Sequence, residues 1–279
     1  MKICVTGASG TAGKATVSHL SLKGYRVRAT DIAARPSDMD VPFLRADLTD
    51  FGQAAEVLHG MDAVVHLANI PAPDLYPPAV TINANTTMNS NIFLATAQLG
   101  LSKVVWASSE TTLGLPFDTP PRYAPVDEEH YPFPTTTYAL SKVVSETIAE
   151  HVSQWSGIPF TALRFSNIFV PENYALLPEH AWHDPAARRW NLWGYIDVRD
   201  VASSCEAALE AETTGARSYI IAAADTVMNV PSAQLLAAEF PGVKLSREVG
   251  EFETLLGIDK ARTELGWTPQ HSWRSHIGS

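Results

Sequence analysis

The sequence predicts an α/β fold, a doubly wound parallel sheet with helices on both faces, and three observations carry that expectation. Apolar, strand-like runs recur at residues 3–6, 25–30, 41–45, 63–67, 103–107, 160–165 and 218–222. Helix-like stretches at 11–22, 51–58, 79–99, 138–155 and 198–211 separate most of them, and that alternation implies crossovers of one hand. The runs are apolar at successive positions, as at Ile3, Cys4 and Val5, the pattern of strands covered on both faces.

Taken in order, the first element organises the rest. The opening run leads into Gly7, Gly10 and Gly13, and a helix-like stretch follows from Lys14. A strand breaking into a glycine turn and opening a helix presents free backbone N–H groups and a positive helix end to an anion. Gly7, Ser9, Gly10, Thr11, Ala12 and Gly13 are therefore expected around a pyrophosphate. Asp31 ends the second run, where a carboxylate accepts hydrogen bonds from the adenosine ribose of NAD. Asp47 and Leu48 follow the third run, in position to flank the adenine. The plainer reading is a strand-ending Asp before a helix capped by Asp50. Leu67, Ala68 and Asn69 close the fourth run with access for a flat cofactor, and His66 reads as a satisfied core histidine. Asn83, Asn85, Asn89 and Asn91 are unusual in a helical stretch, because Asn prefers local backbone bonds. At least one is expected to tie helix to sheet.

The chemistry is expected at Ser109, Tyr138 and Lys142. Tyr138 and Lys142 are four residues apart, on one face of a helix. Tyrosine is a poor base, with a pKa near 10. A lysine cation within a few ångströms, together with a cationic nicotinamide, is expected to lower it. Tyr138 could then take a proton from a substrate hydroxyl while hydride leaves the same carbon. Lys142 would hold the nicotinamide ribose, and Ser109 would stabilise charge on the substrate oxygen. The Tyr/Lys pair is a weak signal alone. Its place after Ser108-Ser109, in a chain with a dinucleotide loop, strengthens it.

Composition limits the alternatives. A net charge of −10 argues against nucleic acid and membrane surfaces as partners. Cys4 and Cys205 read as buried thiols of a reducing compartment. The first strand begins at Lys2 and no apolar run reaches membrane-spanning length, so a cytoplasmic protein is expected. No metal site is expected, since nothing like H-E-x-x-H occurs. A length of 279 residues suits a large domain with a small appendage. We expect a dinucleotide-binding domain at 1–167 plus 196–222 and a substrate lobe at 168–195 plus 223–279. Residues 116–135 hold six prolines and suggest a long surface loop. Residues 171–197, with Trp182, Trp190 and Trp193, have few regular signals and are a second candidate to cover the site.

Taken together, T-G-A-S-G-T-A-G at 6–13, Asp31, Asp47-Leu48, H-L-A-N at 66–69, Asn85, A-S-S at 107–109, Y-A-L-S-K at 138–142, L-R-F-S-N at 163–167 and Y-I-D-V-R-D-V-A at 195–202 carry a resemblance. The chain resembles the extended short-chain dehydrogenase/reductase family, the NAD-dependent epimerases and dehydratases. The resemblance implies a Rossmann-type fold with Gly7, Gly10 and Gly13 at the pyrophosphate and Asp31 on the ribose. It makes Ser109, Tyr138 and Lys142 the catalytic triad. It also implies NAD rather than NADP, since neither Arg nor Lys stands at position 32, although Arg35 is near.

Within the family the branch is less clear. Dehydratases carry Asp-Glu where this chain has Glu110 and Thr111, so dehydration is not expected. Uronate-type dehydrogenases carry Asn-His there, and an Arg in the loop that here reads Pro171 to Ala175. The residues expected at the substrate are Ser109, Glu110, Thr111, Asn167, Arg188 and Trp193. The lead expectation is an NAD-dependent oxidoreductase or epimerase acting on a sugar-like hydroxyl or carbonyl compound. The alternatives are a nucleotide-sugar 4-epimerase with tightly held NAD and a non-catalytic NAD(P)-sensing regulator. A homodimer through the helices at 79–99 and 138–155 is possible on the family pattern.

Overall fold

Buried apolar runs and the helices between them build the fold, in a computed structural model that describes residues 1–130 and 132–276. The strands of the main sheet are β1 (Lys2–Thr6), β2 (Arg26–Asp31), β3 (Phe43–Arg45), β4 (Ala63–His66) and β5 (Lys103–Ser109), with two more further on. After the short β6 (Tyr123–Ala124), β7 (Phe160–Phe165) rejoins the sheet. The short β8 (Ile168–Phe169) and β9 (Ile196–Asp197) precede its last strand, β10 (Ala216–Ile221). A final short strand, β11 (Lys244–Leu245), pairs with β6, and β8 pairs with β9. The main sheet has the order β10-β7-β5-β4-β1-β2-β3, and every pairing in it is parallel.

The helices are α1 (Thr11–Leu22), α2 (Phe51–Leu58), α3 (Pro78–Leu99), α4 (Thr137–Ser156), α5 (Leu177–His180), α6 (Val198–Glu210), α7 (Ser232–Glu239) and α8 (Asp259–Glu264). Successive strand residues point to opposite faces, and this sorts the core. Val104 and Trp106 of β5 face α2, α3 and α4, among Ile92, Phe93 and Val152. Val105 faces the side covered by α1 and α6, among Val17, Leu20, Val201 and Cys205. Local chemistry sets the ends of α4: the Thr136 hydroxyl accepts the Ala139 N–H, and Gly157 closes the helix at φ +73°.

The expected runs and helices fall within two residues of the observed ones, with β3 starting at Phe43 rather than at 41. The stretch 116–135 is not a surface loop throughout. Phe117, Ala124 and Val126 turn inward to a second core with Tyr174, Trp193, Tyr195, Met228 and Trp273. Its prolines bend the chain between apolar anchors, and burying those anchors outweighs leaving the segment solvated. The helices α7 and α8, which no periodicity announced, help to build and flank the same region.

The sheet places the functional crevice. Beyond β1 the chain goes to β2 and β3 on one side, and from β4 onwards to the other. The strand order therefore reverses between β1 and β4, at whose carboxyl ends ligands lodge in such folds.

Candidate functional site

The glycine turn sits at that reversal. Gly7 has φ +66°, and a Cβ on it would lie 2.6 Å from the Ala68 nitrogen, so the ends of β1 and β4 approach only with no side chain between. A Cβ on Gly13 would lie 2.0 Å from the Gly7 carbonyl oxygen, so helix α1 can begin against the turn only with glycine there. Gly10 is the N-cap. No side chain caps the helix and its first turn holds no acid, which leaves the Thr11, Ala12 and Gly13 amides to an anionic group.

Asp31 is held for an acceptor's role. Its Oδ2 accepts the Ser9 N–H and its Oδ1 the Ala33 N–H, both at 2.9 Å. Each oxygen keeps a lone pair for a ribose hydroxyl. Arg35 is folded away, its Nε donating to the Met39 carbonyl at 2.8 Å, and Arg45, across from Asp31 on β3, has its Nε bonded to the Ile32 carbonyl at 2.8 Å. The turn, the open helix start and this carboxylate fit a dinucleotide.

Asp47 accepts from the Thr49 N–H and hydroxyl and so shapes the entry to α2, while Leu48 is buried beside Ala54 and Val57. Both therefore have a structural part, as the plainer sequence reading had it. Asn85 is fully buried and turned to the backbone, accepting from the Ile70 N–H (2.8 Å) and donating to the Ile70 carbonyl (3.1 Å). It acts on the crevice by clamping the loop after β4 to α3. His66 is the satisfied core histidine that the sequence suggested, held between Thr6 and Asn89.

Tyr138 and Lys142 lie one turn apart on the buried face of α4, with the ammonium 5.6 Å from the phenol ring centroid. Ser109 ends β5, near enough to Tyr138 to bear on the phenol's proton affinity. The Ser109 oxygen accepts from the Thr111 N–H (3.2 Å) and hydroxyl (3.0 Å), which leaves its own proton for a further acceptor. Lys142 donates to Asn69 Oδ1 (3.0 Å) and to the Ala107 carbonyl (2.7 Å). One ammonium proton remains for a ligand.

The expected lowering of Tyr138 called on a cationic nicotinamide as well as on Lys142, and the protein's own groups by themselves do not acidify the phenol. Burial pushes the Tyr138 phenol up to about 12. The Ser109 hydroxyl opposes this, and the nearby Glu110 carboxylate adds to it. Burial pulls Lys142 down to about 7, against the attraction of Glu146. Desolvation wins over pairing because both charges are removed from water.

The residues expected at the substrate divide into two sets. Ser109, Glu110 and Thr111 follow one another beside Tyr138. Burial drives Glu110 up to about 7, although the Asn191 hydrogen bond and the Arg188 charge work against it. Asn191 Nδ2 donates to Glu110 Oε1 at 3.3 Å. Arg188 donates to Asn167 Oδ1 (3.1 Å) and the Gly194 carbonyl (3.0 Å), and stacks near Phe169 and Trp190. The structure thus joins Glu110, Asn167 and Arg188 in one polar cluster, with Asn191 as the member that sequence reading missed. Trp193 lies elsewhere. It is fully buried, its indole N–H bonded to the Pro185 carbonyl, so packing in the second core replaces the substrate contact expected of it. Sequence reading also missed Glu146, which holds Arg164 in a bidentate pair at 2.7 and 3.0 Å and accepts from Ser108 beneath the site. Nothing in the linear pattern pairs residues 18 apart.

Among the described residues no helix is long and apolar enough to cross a membrane, and no group of three or more His, Cys, Asp or Glu could hold a metal. A parallel sheet with a glycine turn at its switch point, and a phenol, hydroxyl and ammonium beside it, defines a dinucleotide-dependent α/β enzyme. The chain belongs to the NAD dependent epimerase/dehydratase family, whose model matches residues 3–222. It is 25% identical over 311 residues to a UDP-glucose 4-epimerase of Lacticaseibacillus casei, covering 97% of this chain and 92% of that protein. It is 27% identical over 225 residues to an NAD-dependent glucose-6-phosphate dehydrogenase of Haloferax volcanii, covering 75% and 80%. Its shape is similar to the solved structure of a mutated uronate dehydrogenase, with TM-score 0.71 and 23% identity, covering 98% of this chain and 82% of the other. At that identity the likeness speaks for the fold.

Proposed function

We propose that this enzyme moves a hydride between a hydroxyl-bearing carbon of a sugar-like substrate and NAD, with Tyr138 as acid and base. The observation that carries the reading is the meeting of Tyr138 and Lys142, one turn apart on the buried face of α4, with Ser109 at the carboxyl end of β5. NAD, when bound, supplies the hydride acceptor and a positive ring. Gly7, Ser9, Gly10, Thr11, Ala12 and Gly13 hold its pyrophosphate, Asp31 its adenosine ribose, and Lys142 its nicotinamide ribose through the remaining ammonium proton. Leu67, Ala68 and Asn69 form the wall beside it. Tyr138, whose phenol stays protonated in the ligand-free chain, gives its proton to a substrate carbonyl or, with positive charge beside it, takes one from a hydroxyl. Ser109 steadies that oxygen as charge develops. Glu110, Thr111, Asn167 and Arg188 bind the remaining hydroxyls of the substrate.

The near full-length similarity to a UDP-glucose 4-epimerase favours a second reading, a nucleotide-sugar 4-epimerase that keeps NAD through turnover. Two further features belong to the same proposal. The exposed Leu94 of α3 and Leu140 and Trp155 of α4 suit a homodimer built on those helices. The buried free thiols of Cys4 and Cys205 suit the cytoplasm.

The test is a panel of UDP-glucose, UDP-galactose, glucuronate, galacturonate, glucose and glucose 6-phosphate, assayed for NADH formation and for epimer formation. We expect Tyr138→Phe to reduce turnover of the accepted compound about 100-fold or more while NAD still binds. Equal turnover by the variant would remove Tyr138 from the chemistry.

A further inference from the structure

We propose that His66 is a positioning residue for Lys142. Fixed in one tautomer by Thr6, it sets, through the amides of Asn89 and Asn69, the acceptor that holds the ammonium. The inference rests on the reading of Lys142 as the cofactor-facing ammonium, and the geometry that carries it lies outside the triad.

The order of donors and acceptors leaves one solution. Thr6 Oγ1 already accepts two backbone N–H groups, from Leu67 at 3.1 Å and Ala68 at 3.2 Å. Its own proton faces His66 Nδ1 at 2.6 Å, so Nδ1 accepts and Nε2 carries the ring hydrogen. Nε2 then donates to Asn89 Oδ1 at 2.8 Å, which turns the Asn89 amide nitrogen to the Ser145 hydroxyl at 2.7 Å. Asn69 donates its Nδ2 to the same Asn89 oxygen at 2.9 Å and to the Ala68 carbonyl, and together these bonds present its Oδ1 to Lys142 Nζ at 3.0 Å. The opposite histidine tautomer would set two acceptors face to face. Asn89 would have to turn over, taking its oxygen away from Asn69 Nδ2 and loosening the amide that faces the ammonium.

Burial makes the order binding. His66 and Asn89 are fully buried and Lys142 is 1% exposed, so no water exchanges with these groups freely. Desolvation takes His66 down to about 3, with the Lys142 charge adding to it, so the ring is neutral at working pH. Glu146 and Tyr138 on its own helix also face Lys142, the former paired with Arg164 of β7. In a site that removes water from an ammonium, one well-placed carbonyl acceptor matters to both its orientation and its proton affinity.

Three measurements test the proposal, none of which needs turnover, so the outcome stands apart from that of the Tyr138→Phe experiment. In the wild-type protein, two-bond proton–nitrogen spectra should show His66 neutral with hydrogen on Nε2 from pH 6 to 9. Hydrogen on Nδ1 would overturn the proposal. Carbon-13 labelled lysine, with the resonance identified by its loss in Lys142→Met, reports the Lys142 titration. In His66→Leu we expect that midpoint to fall by about half a unit or more, and NAD affinity to weaken about fivefold, the scale of one ordinary hydrogen bond. His66→Gln can accept from Thr6 and donate to Asn89, and should restore both. A folded His66→Leu with unchanged midpoint and affinity would overturn the proposal, and the wild-type tautomer decides if that variant does not fold.

Discussion

Glu110 shows how far burial alone moves a side chain of this site. Its carboxyl rises from 4.5 to about 7, so between those values the folded chain holds a proton that the unfolded chain has released. Its contribution to stability is complete below pH 4.5 and lost as pH rises through 7. His66 runs the other way, its lowered pKa making stability rise between pH 3 and 6.5, so the wild-type profile mixes the two. The variant isolates one. Glu110→Gln should melt a few degrees higher than wild type at pH 8 and lose that advantage at pH 5, as followed by thermal unfolding. A difference independent of pH would mean that the carboxyl is ionised throughout. Residues of this kind were legible in the sequence by name and not by state. Spacing pointed to Tyr138 and Lys142, whereas the raised phenol and lowered ammonium follow from desolvation, which no linear pattern carries.

The turn between β1 and α1 is an element in which two glycines do different work. Gly13 has no room, since a Cβ would meet the Gly7 carbonyl oxygen at 2.0 Å. Gly10 has ordinary extended angles, φ −75° and ψ 168°, and a Cβ there would be 3.4 Å from the same oxygen. Gly13→Ala should therefore lower the unfolding midpoint clearly, by about 2 kcal/mol or more of stability as for other overpacked sites. Gly10→Ala should leave that midpoint nearly unchanged and weaken NAD binding, because its methyl group stands beside the uncapped amides. Denaturant titration and fluorescence quenching by NAD separate the two effects. The glycine spacing was readable in the sequence, but the division of labour depends on how the turn lays the Gly7 carbonyl against the start of α1. Asn85 makes the same point. Its residue type foretold a tie between helix and sheet, and only the fold shows that it holds the Ile70 backbone.

At the scale of the whole molecule, the two faces of the sheet have separate cores and a third cluster lies beyond its carboxyl ends. The C-terminal segment clasps that third cluster. Trp273 donates its indole N–H to the Thr226 carbonyl at 2.7 Å and packs on Trp182 at 5.0 Å between ring centroids. Trp273→Ala should cost about 3–5 kcal/mol of stability, with hydrogen-exchange protection lost around Val227 and kept in β1 to β5. NAD affinity should change less than twofold, and a large loss would show that the cluster also supports the cofactor crevice.

The sequence by itself determined the alternation of strands and helices, the glycine turn and the identity of the serine, tyrosine and lysine. Each of these is written in near neighbours along the chain, where backbone sterics and helical spacing act directly. Tertiary structure alone decided that Trp193 is packed away, that Arg188 and Asn191 meet Glu110, and that His66 reaches Lys142 through two amides. Those outcomes depend on residues far apart in sequence competing for the same buried volume and the same few hydrogen-bond partners.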